Sequence, residues 1–138
     1  MKGLILYLAH PTGSREIVRL WEKEFERDSG IELINPFYDI SNEGREMDDG
    51  LRGPYDIDPE MIVLRDTGAI ATSNGMVTWI THELSYGTIQ EMVYAKMLGK
   101  ENYSLILNGH HKHPWLRYHS TKIFTELGDL EKHLHSLV

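Results

Sequence analysis

A near-continuous apolar run, Gly3 to Ala9, is followed at once by a segment, Gly13 to Asp28, in which Ile17, Trp21 and Phe25 recur every four residues. Consecutive apolar positions suit a strand covered on both faces, and a four-residue repeat marks a helix with one apolar stripe. Ser14 is suited to cap that helix and Gly30 to end it, after which Ile31 to Ile34 reads as a second strand closed by Asn35-Pro36. The chain therefore opens β-α-β, and this order constrains everything that follows.

The alternation continues. Pro59 to Asp66 reads as a helix with proline in its first turn, Gly75 to Ile80 as a third strand, and the segment carrying Glu91 as a helix running to Leu98 and stopping at Gly99-Lys100. Tyr103 to Leu107 reads as a fourth strand, Lys122 to Glu126 as a short fifth, and Asp129 to Leu137 as the last helix. The expected fold is α/β: a single-domain, flavodoxin/Rossmann-like three-layer sandwich around a mostly parallel five-stranded sheet, spanning residues 1–138. Ligands in such folds bind beyond the carboxyl ends of the strands. His10 to Arg15, Thr81 to Glu91 and Asn108 to His113 follow the first, third and fourth strands and are expected to line one crevice.

Composition narrows the partners. A hydrophobic content of 41% with 25% charged residues is that of a soluble globular protein, and no apolar run approaches the roughly 18 residues of a membrane span. The formal net charge of −7 argues against binding polymeric nucleic acid, which calls for a basic face. The sequence has no cysteine, which fits a reducing, cytoplasmic setting. Acidic residues gather between Asp39 and Asp58, among Gly44, Gly50, Gly53 and Pro54, as a polar loop or lid.

The stretch Ser85-Tyr86-Gly87-Thr88-Ile89-Gln90-Glu91 sets a hydroxyl, a glycine and a carboxylate around a helix start. Backbone N–H groups of Gly87 and Thr88 at a helix N-terminus suit a phosphate or carboxylate, with Ser85 adding a hydroxyl. Glu91, inside the helix, has two readings. An ionised carboxylate in a pocket acts as nucleophile or electrostatic stabiliser. Thr88-Ile89-Gln90-Glu91 also fits a capping box, which would make Glu91 structural.

Several segments together resemble the nucleoside 2-deoxyribosyltransferase family, and within it the nucleoside 5′-monophosphate N-glycosidase branch. They are Tyr7-Leu8-Ala9, Ile31 to Pro36, Asp66, Ser85-x-Gly87-Thr88-x-x-Glu91-x-x-Tyr94-Ala95 and Gly99-Lys100, covering about residues 3–118. The resemblance implies that Glu91 attacks C1′ of the sugar, with Tyr7 and Asp66 in the catalytic set. An oxocarbenium-like transition state needs such an anion together with a proton donor at the leaving nitrogen. Ser85, six residues before Glu91, stands where transferases of the family tend to carry aspartate and monophosphate hydrolases carry serine. A carboxylate there would repel phosphate, so serine favours a nucleotide over a nucleoside.

The resemblance further implies that His10, Gly13, Ser14 and Arg15 form a loop around sugar and phosphate. It also implies that Asn74 stands where many members use aspartate to hold or protonate the base. Asparagine can bond a base edge but cannot deliver a proton, which leaves Asp66 as the acid, with Asp56 or Asp58 as alternatives. Exchange of bases between deoxynucleosides, and a non-catalytic nucleotide-sensing module, are the competing functions.

Asn108 to His119 is rich in histidine, and His111, His113 and His119 invite a metal reading. No His-Glu-x-x-His pattern or fixed helical spacing accompanies them, so no metal or cofactor is expected. The family resemblance implies a homodimer or larger oligomer with shared active sites, in which Trp115, Arg117 and His119 contact base or phosphate in a neighbour's pocket. His82, near Ser85, is a further residue facing the crevice.

Overall fold

The structure, a computed structural model, describes residues 3–39, 58–82 and 85–138. Five strands form one sheet: β1 (Ile5–Ala9), β2 (Glu32–Ile34), β3 (Gly75–Ile80), β4 (Glu101–Ile106) and β5 (Lys122–Phe124). Their spatial order is β2-β1-β3-β4-β5, and every pairing is parallel. This is the doubly wound order, with its switch point between β1 and β3.

Helices cover both faces, giving the expected three layers. On one face α1 (Arg15–Ser29) and α5 (Leu127–His135) pack Val18, Phe25, Leu130 and Leu134 against Leu6, Leu8, Leu33 and Leu105. On the other, α2 (Pro59–Thr72), α3 (Tyr86–Met97) and the short α4 (Pro114–Tyr118) pack Ile70, Met92, Ala95 and Leu116 against Tyr7, Ala9, Met76, Ile80 and Ile106. The alternation of Leu6 and Leu8 with Tyr7 and Ala9 follows from the two-residue period of a strand. β3 is buried along its whole length, as expected for a central parallel strand.

Element ends follow their sequence signals, with four corrections. Gly30 and Gly99 take left-handed φ of 77° and 72°, closing the turns after α1 and α3. The stripe of α1 is displaced: Val18, Glu22 and Phe25 are buried, while Ile17 is 64% exposed. Ser14 precedes α1 in a 3₁₀ turn, Thr12–Ser14, but makes no side-chain cap. The second helix runs past Asp66 to Thr72, and residues 114–118 form a helix in the segment expected to be loop. Most of the acidic segment, Asp56 included, lies outside the described residues. No described helix is long and apolar enough to cross a membrane.

Candidate active site

The carboxyl ends of β1 and β3 meet at the switch point. There the Ser14 and Thr81 hydroxyls lie 2.6 Å apart, tying the turn after β1 to the end of β3. Ser14 is buried, so its hydroxyl serves this tie rather than capping α1. Gly13 is exposed beside it, and an added Cβ there would meet no atom of the described residues within 4 Å. Arg15 is half-buried, its Nη1 donating to the Thr12 carbonyl at 3.2 Å and so folded back over the turn.

α3 begins beyond the same edge. Ser85 is its N-cap: Oγ accepts from the Thr88 amide at 3.2 Å and donates to Thr88 Oγ1 at 2.7 Å. This corrects the capping-box reading. Thr88 lies inside the first turn, and Glu91, a further turn along, is beyond reach of the N-cap amide. At Gly87 an added Cβ would meet no described residue within 4 Å, so among the described residues the space beside the helix start is open. His82 is exposed on the approach from β3 to this helix.

Glu91 instead meets Tyr7. The buried tyrosine on β1 donates its hydroxyl to Glu91 Oε2 at 2.6 Å, a short bond of the charge-assisted kind. Both residues are on the sheet face covered by α2 and α3. Asp66 is buried on α2, one turn before Ile70, whose side chain packs in the cluster with Tyr7 and Met92. Positions four apart share a helix face, so Asp66 faces the same interior from nearer the crevice. Arg65 Nε lies 3.9 Å from its Oδ1.

Other expected site residues are not brought here. Asn74 sits before β3, at the amino end of the sheet; its Oδ1 accepts from the Ile5 amide at 2.8 Å and its own amide donates to the Ile5 carbonyl at 2.8 Å. A six-residue strand separates it from the crevice, so it cannot hold the base. His119 is also at the amino end: it is buried after α4, with Nδ1 2.7 Å from the Trp115 carbonyl and its own carbonyl accepting from Asn102 at 2.9 Å. Asp58 is spent capping α2, accepting from the Glu60 and Met61 amides at 3.1 and 3.3 Å. Trp115, 69% exposed, and exposed Arg117 stand on the outer surface of α4. His113 caps that helix, its Nδ1 accepting from the Trp115 amide at 3.2 Å. Among the described residues no three histidines or carboxylates gather as a metal site.

His10 is turned away from Glu91, toward α1. It is buried, with Nε2 3.0 Å from Asn35 Oδ1, and Asn35 Nδ2 donates to Glu22 Oε1 at 2.6 Å. Glu22 is fully buried, and burial pushes its carboxyl up to about 7 against a bond from Asn35 that lowers it. This pair was missed from sequence, although Glu22 lies four residues after Val18 and three before Phe25, on a buried stripe.

No protein-family model matches the sequence, and no curated protein matches it. Solved structures do match. The 2-deoxyribosyltransferase of Bacillus psychrosaccharolyticus superposes with a TM-score of 0.70 over 92% of this chain and 90% of its own, at 19% identity. The chain has the fold of the 2-deoxyribosyltransferases. The Leishmania mexicana 2-deoxyribosyltransferase gives a TM-score of 0.68 at 14% identity, covering 96% of this chain and 97% of its own. The Clostridium botulinum CMP N-glycosidase BcmB gives 0.62 at 17% identity, covering 97% and 99%. All these proteins share nearly the whole length of the fold.

Proposed function

We propose that this chain cleaves the N-glycosidic bond of a nucleoside 5′-monophosphate by double displacement through Glu91. The observation that carries the reading is the Tyr7–Glu91 bond of 2.6 Å, which fixes a carboxylate beneath an open helix start. Glu91 attacks C1′, and the electron pair of the C1′–N bond leaves with the base, which takes a proton from Asp66. Water, giving its proton to the Asp66 carboxylate left by the first step, then attacks C1′ of the resulting ester, and Glu91 departs as the carboxylate while Tyr7 donates to it.

Ser85 and the first amides of α3 are assigned the 5′-phosphate, because a helix start that presents backbone N–H groups and a hydroxyl favours an anion. The turn of Gly13, Ser14 and Arg15 closes the sugar side. A neighbouring copy presenting Trp115 and Arg117 completes the pocket in this reading. The two transferase structures above support a second one, in which a nucleobase rather than water takes the glycosyl group.

The test is to incubate the protein with each common ribo- and deoxyribonucleoside 5′-monophosphate and with the free nucleosides, following released base by chromatography. Base release from monophosphates that is lost in Glu91→Gln supports the hydrolase. Release only on addition of a second base supports transfer, and binding without release in either case overturns catalysis in favour of nucleotide sensing.

A further inference from the structure

Asn102 to Thr125 contains no aspartate or glutamate, in a chain whose formal net charge is −7, and its cations are Lys112, Arg117 and Lys122. The fold carries these onto different elements: Lys112 precedes α4, Arg117 lies on α4 and Lys122 opens β5. All three nevertheless line one open cleft of about 470 Å³, bounded by α4, the edge strand β5 and the first turn of α5. Among the described residues none of the three is in an ion pair. A lysine on an edge strand is an ordinary guard against a further strand, but that accounts for Lys122 alone. It does not gather Lys112 and Arg117 against the same surface. Like charges brought together repel, so their convergence is a cost that a bound counter-charge removes.

His111 lines the cleft as well. Its Nδ1 is buried without a hydrogen-bond partner among the described residues, so the ring meets solvent through Nε2. A hydrogen on Nδ1 would be a buried donor left unsatisfied, which favours the tautomer that carries it on Nε2. Thr121 Oγ1 accepts from the Asn102 amide at 2.9 Å and keeps its own hydrogen to donate. Lys122 Nζ lies 5.6 Å from the centroid of the Phe124 ring, a contact that holds the cation beside the cleft. One exposed carboxylate, Asp129, also lines it, and the three cations leave a local excess of two positive charges.

We infer that this cleft is an anion site, separate from the crevice at Glu91, and that its ligand is a phosphate dianion, either inorganic phosphate or a phosphate monoester. The excess of two charges matches a dianion better than a monocarboxylate. The guanidinium fork of Arg117 suits two phosphate oxygens at once, and the lysines act as point charges. A phosphate group also has oxygens to spare for an imidazole N–H and a hydroxyl. The volume is that of small-molecule sites, which leaves room for the carbon part of an ester beside Phe124. β4 stands between the cleft and the switch point of β1 and β3. The inference does not rest on the proposed function, and Arg117, which that reading gives to a neighbour's pocket, is left unaltered in the test.

Amide signals of the ¹⁵N-labelled protein are followed at about pH 8, where phosphate is the dianion, during addition of inorganic phosphate and, separately, of ribose 5-phosphate. Chloride at matched ionic strength is the control. Saturable shifts are expected at Lys112, Thr121 and Lys122. Tighter binding of the ester names a monoester as the ligand, and equal binding names the phosphate group alone. The double substitution Lys112→Gln and Lys122→Gln should weaken binding at the cleft by at least about tenfold while leaving any response of Gly87 and Thr88, at the start of α3, as it was. Lys112→Gln by itself, which alters no helix or strand, should act in the same direction. Lys132→Gln, an exposed cation of α5 outside the cleft, should change its affinity by less than about twofold.

Shifts confined to Gly87 and Thr88, shifts equalled by chloride, an affinity unmoved by the double substitution, or an equal loss in Lys132→Gln would each overturn the site. Base release does not enter the measurement, so failure of the catalytic reading leaves this result standing, and the converse holds too.

Discussion

Replacing Tyr7 with phenylalanine removes one oxygen from the centre of the site and little else. The ring is fully buried among Met76, Ile70, Met92 and Ala9, and phenylalanine fills the same space, so the fold should persist. What is lost is a 2.6 Å hydrogen bond to a carboxylate. Bonds of this class contribute about 1.5–3 kcal/mol, or roughly 10- to 150-fold in a rate when the whole of it is felt at the transition state. The two half-reactions of the proposed mechanism should feel it oppositely. In the first, Glu91 gives up negative charge as it bonds to C1′, so the Tyr7 bond stabilises the starting carboxylate. In the second, the carboxylate is the leaving group, and the same bond assists its departure. Tyr7→Phe should therefore slow breakdown of the glycosyl-enzyme by about 10- to 100-fold while base release in the first turnover is retained or quickened. Rapid-quench measurement of base release, with intact-protein mass spectrometry, should show a burst equal to the enzyme concentration and an adduct on Glu91. Steady-state and burst kinetics within twofold of wild type would refute the role assigned to the Tyr7 hydroxyl.

Ser85→Asp keeps a good N-cap but places a charge where phosphate is expected, so kcat/KM for monophosphates should fall at least about tenfold while free nucleosides are spared; unchanged monophosphate turnover would remove Ser85 from the phosphate site. The Glu22 carboxyl holds its proton up to about 7 in the fold against 4.5 ordinarily, so the native state binds the extra proton and stability should fall by ~3 kcal/mol as pH rises from about 4.5 to about 7. Denaturant melts across that range should show the slope in the wild type and lose it in Glu22→Gln. Asn74→Ala should cost about 1 kcal/mol of stability by releasing the Ile5 amide, with kcat/KM unchanged, as thermal melts and initial rates would show.

The succession of strands along the chain was legible because buried parallel strands are written as apolar runs punctuated by glycine and proline. Gly75 to Ile80 was read with the bounds it has, since every one of its residues is buried. Helix faces were less legible. Ile17, Trp21 and Phe25 look like a stripe, but the helix turns so that Val18, Glu22 and Phe25 face the core, a register set by packing against Leu6, Leu8 and Leu33 rather than by hydrophobicity alone. The helix at 114–118 was hidden because its cap is a histidine, whose ring nitrogen replaces the usual hydroxyl or carboxylate.

The candidate site divides along the same line. Ser85, Gly87, Thr88 and Glu91 share one segment, so local spacing sufficed to group them. Tyr7 enters from a different strand, and its contact with Glu91 could not be read from either segment by itself. Asn74 and His119 were misplaced because a motif position does not state which end of the sheet it occupies; both are at the amino ends of strands.

Tyr7 and Glu91 are 84 residues apart in the chain, yet share one proton across 2.6 Å. Their meeting requires β1 to have received β3 beside it and α3 to have docked on the finished face. The first partner is synthesised long before the second exists, and no fragment ending before α3 can hold the pair. In the proposed reaction, chemistry at Glu91 is therefore a late-arriving signal of complete assembly: base release, followed during refolding, should lag the return of helical structure and report the moment the sheet's centre closes.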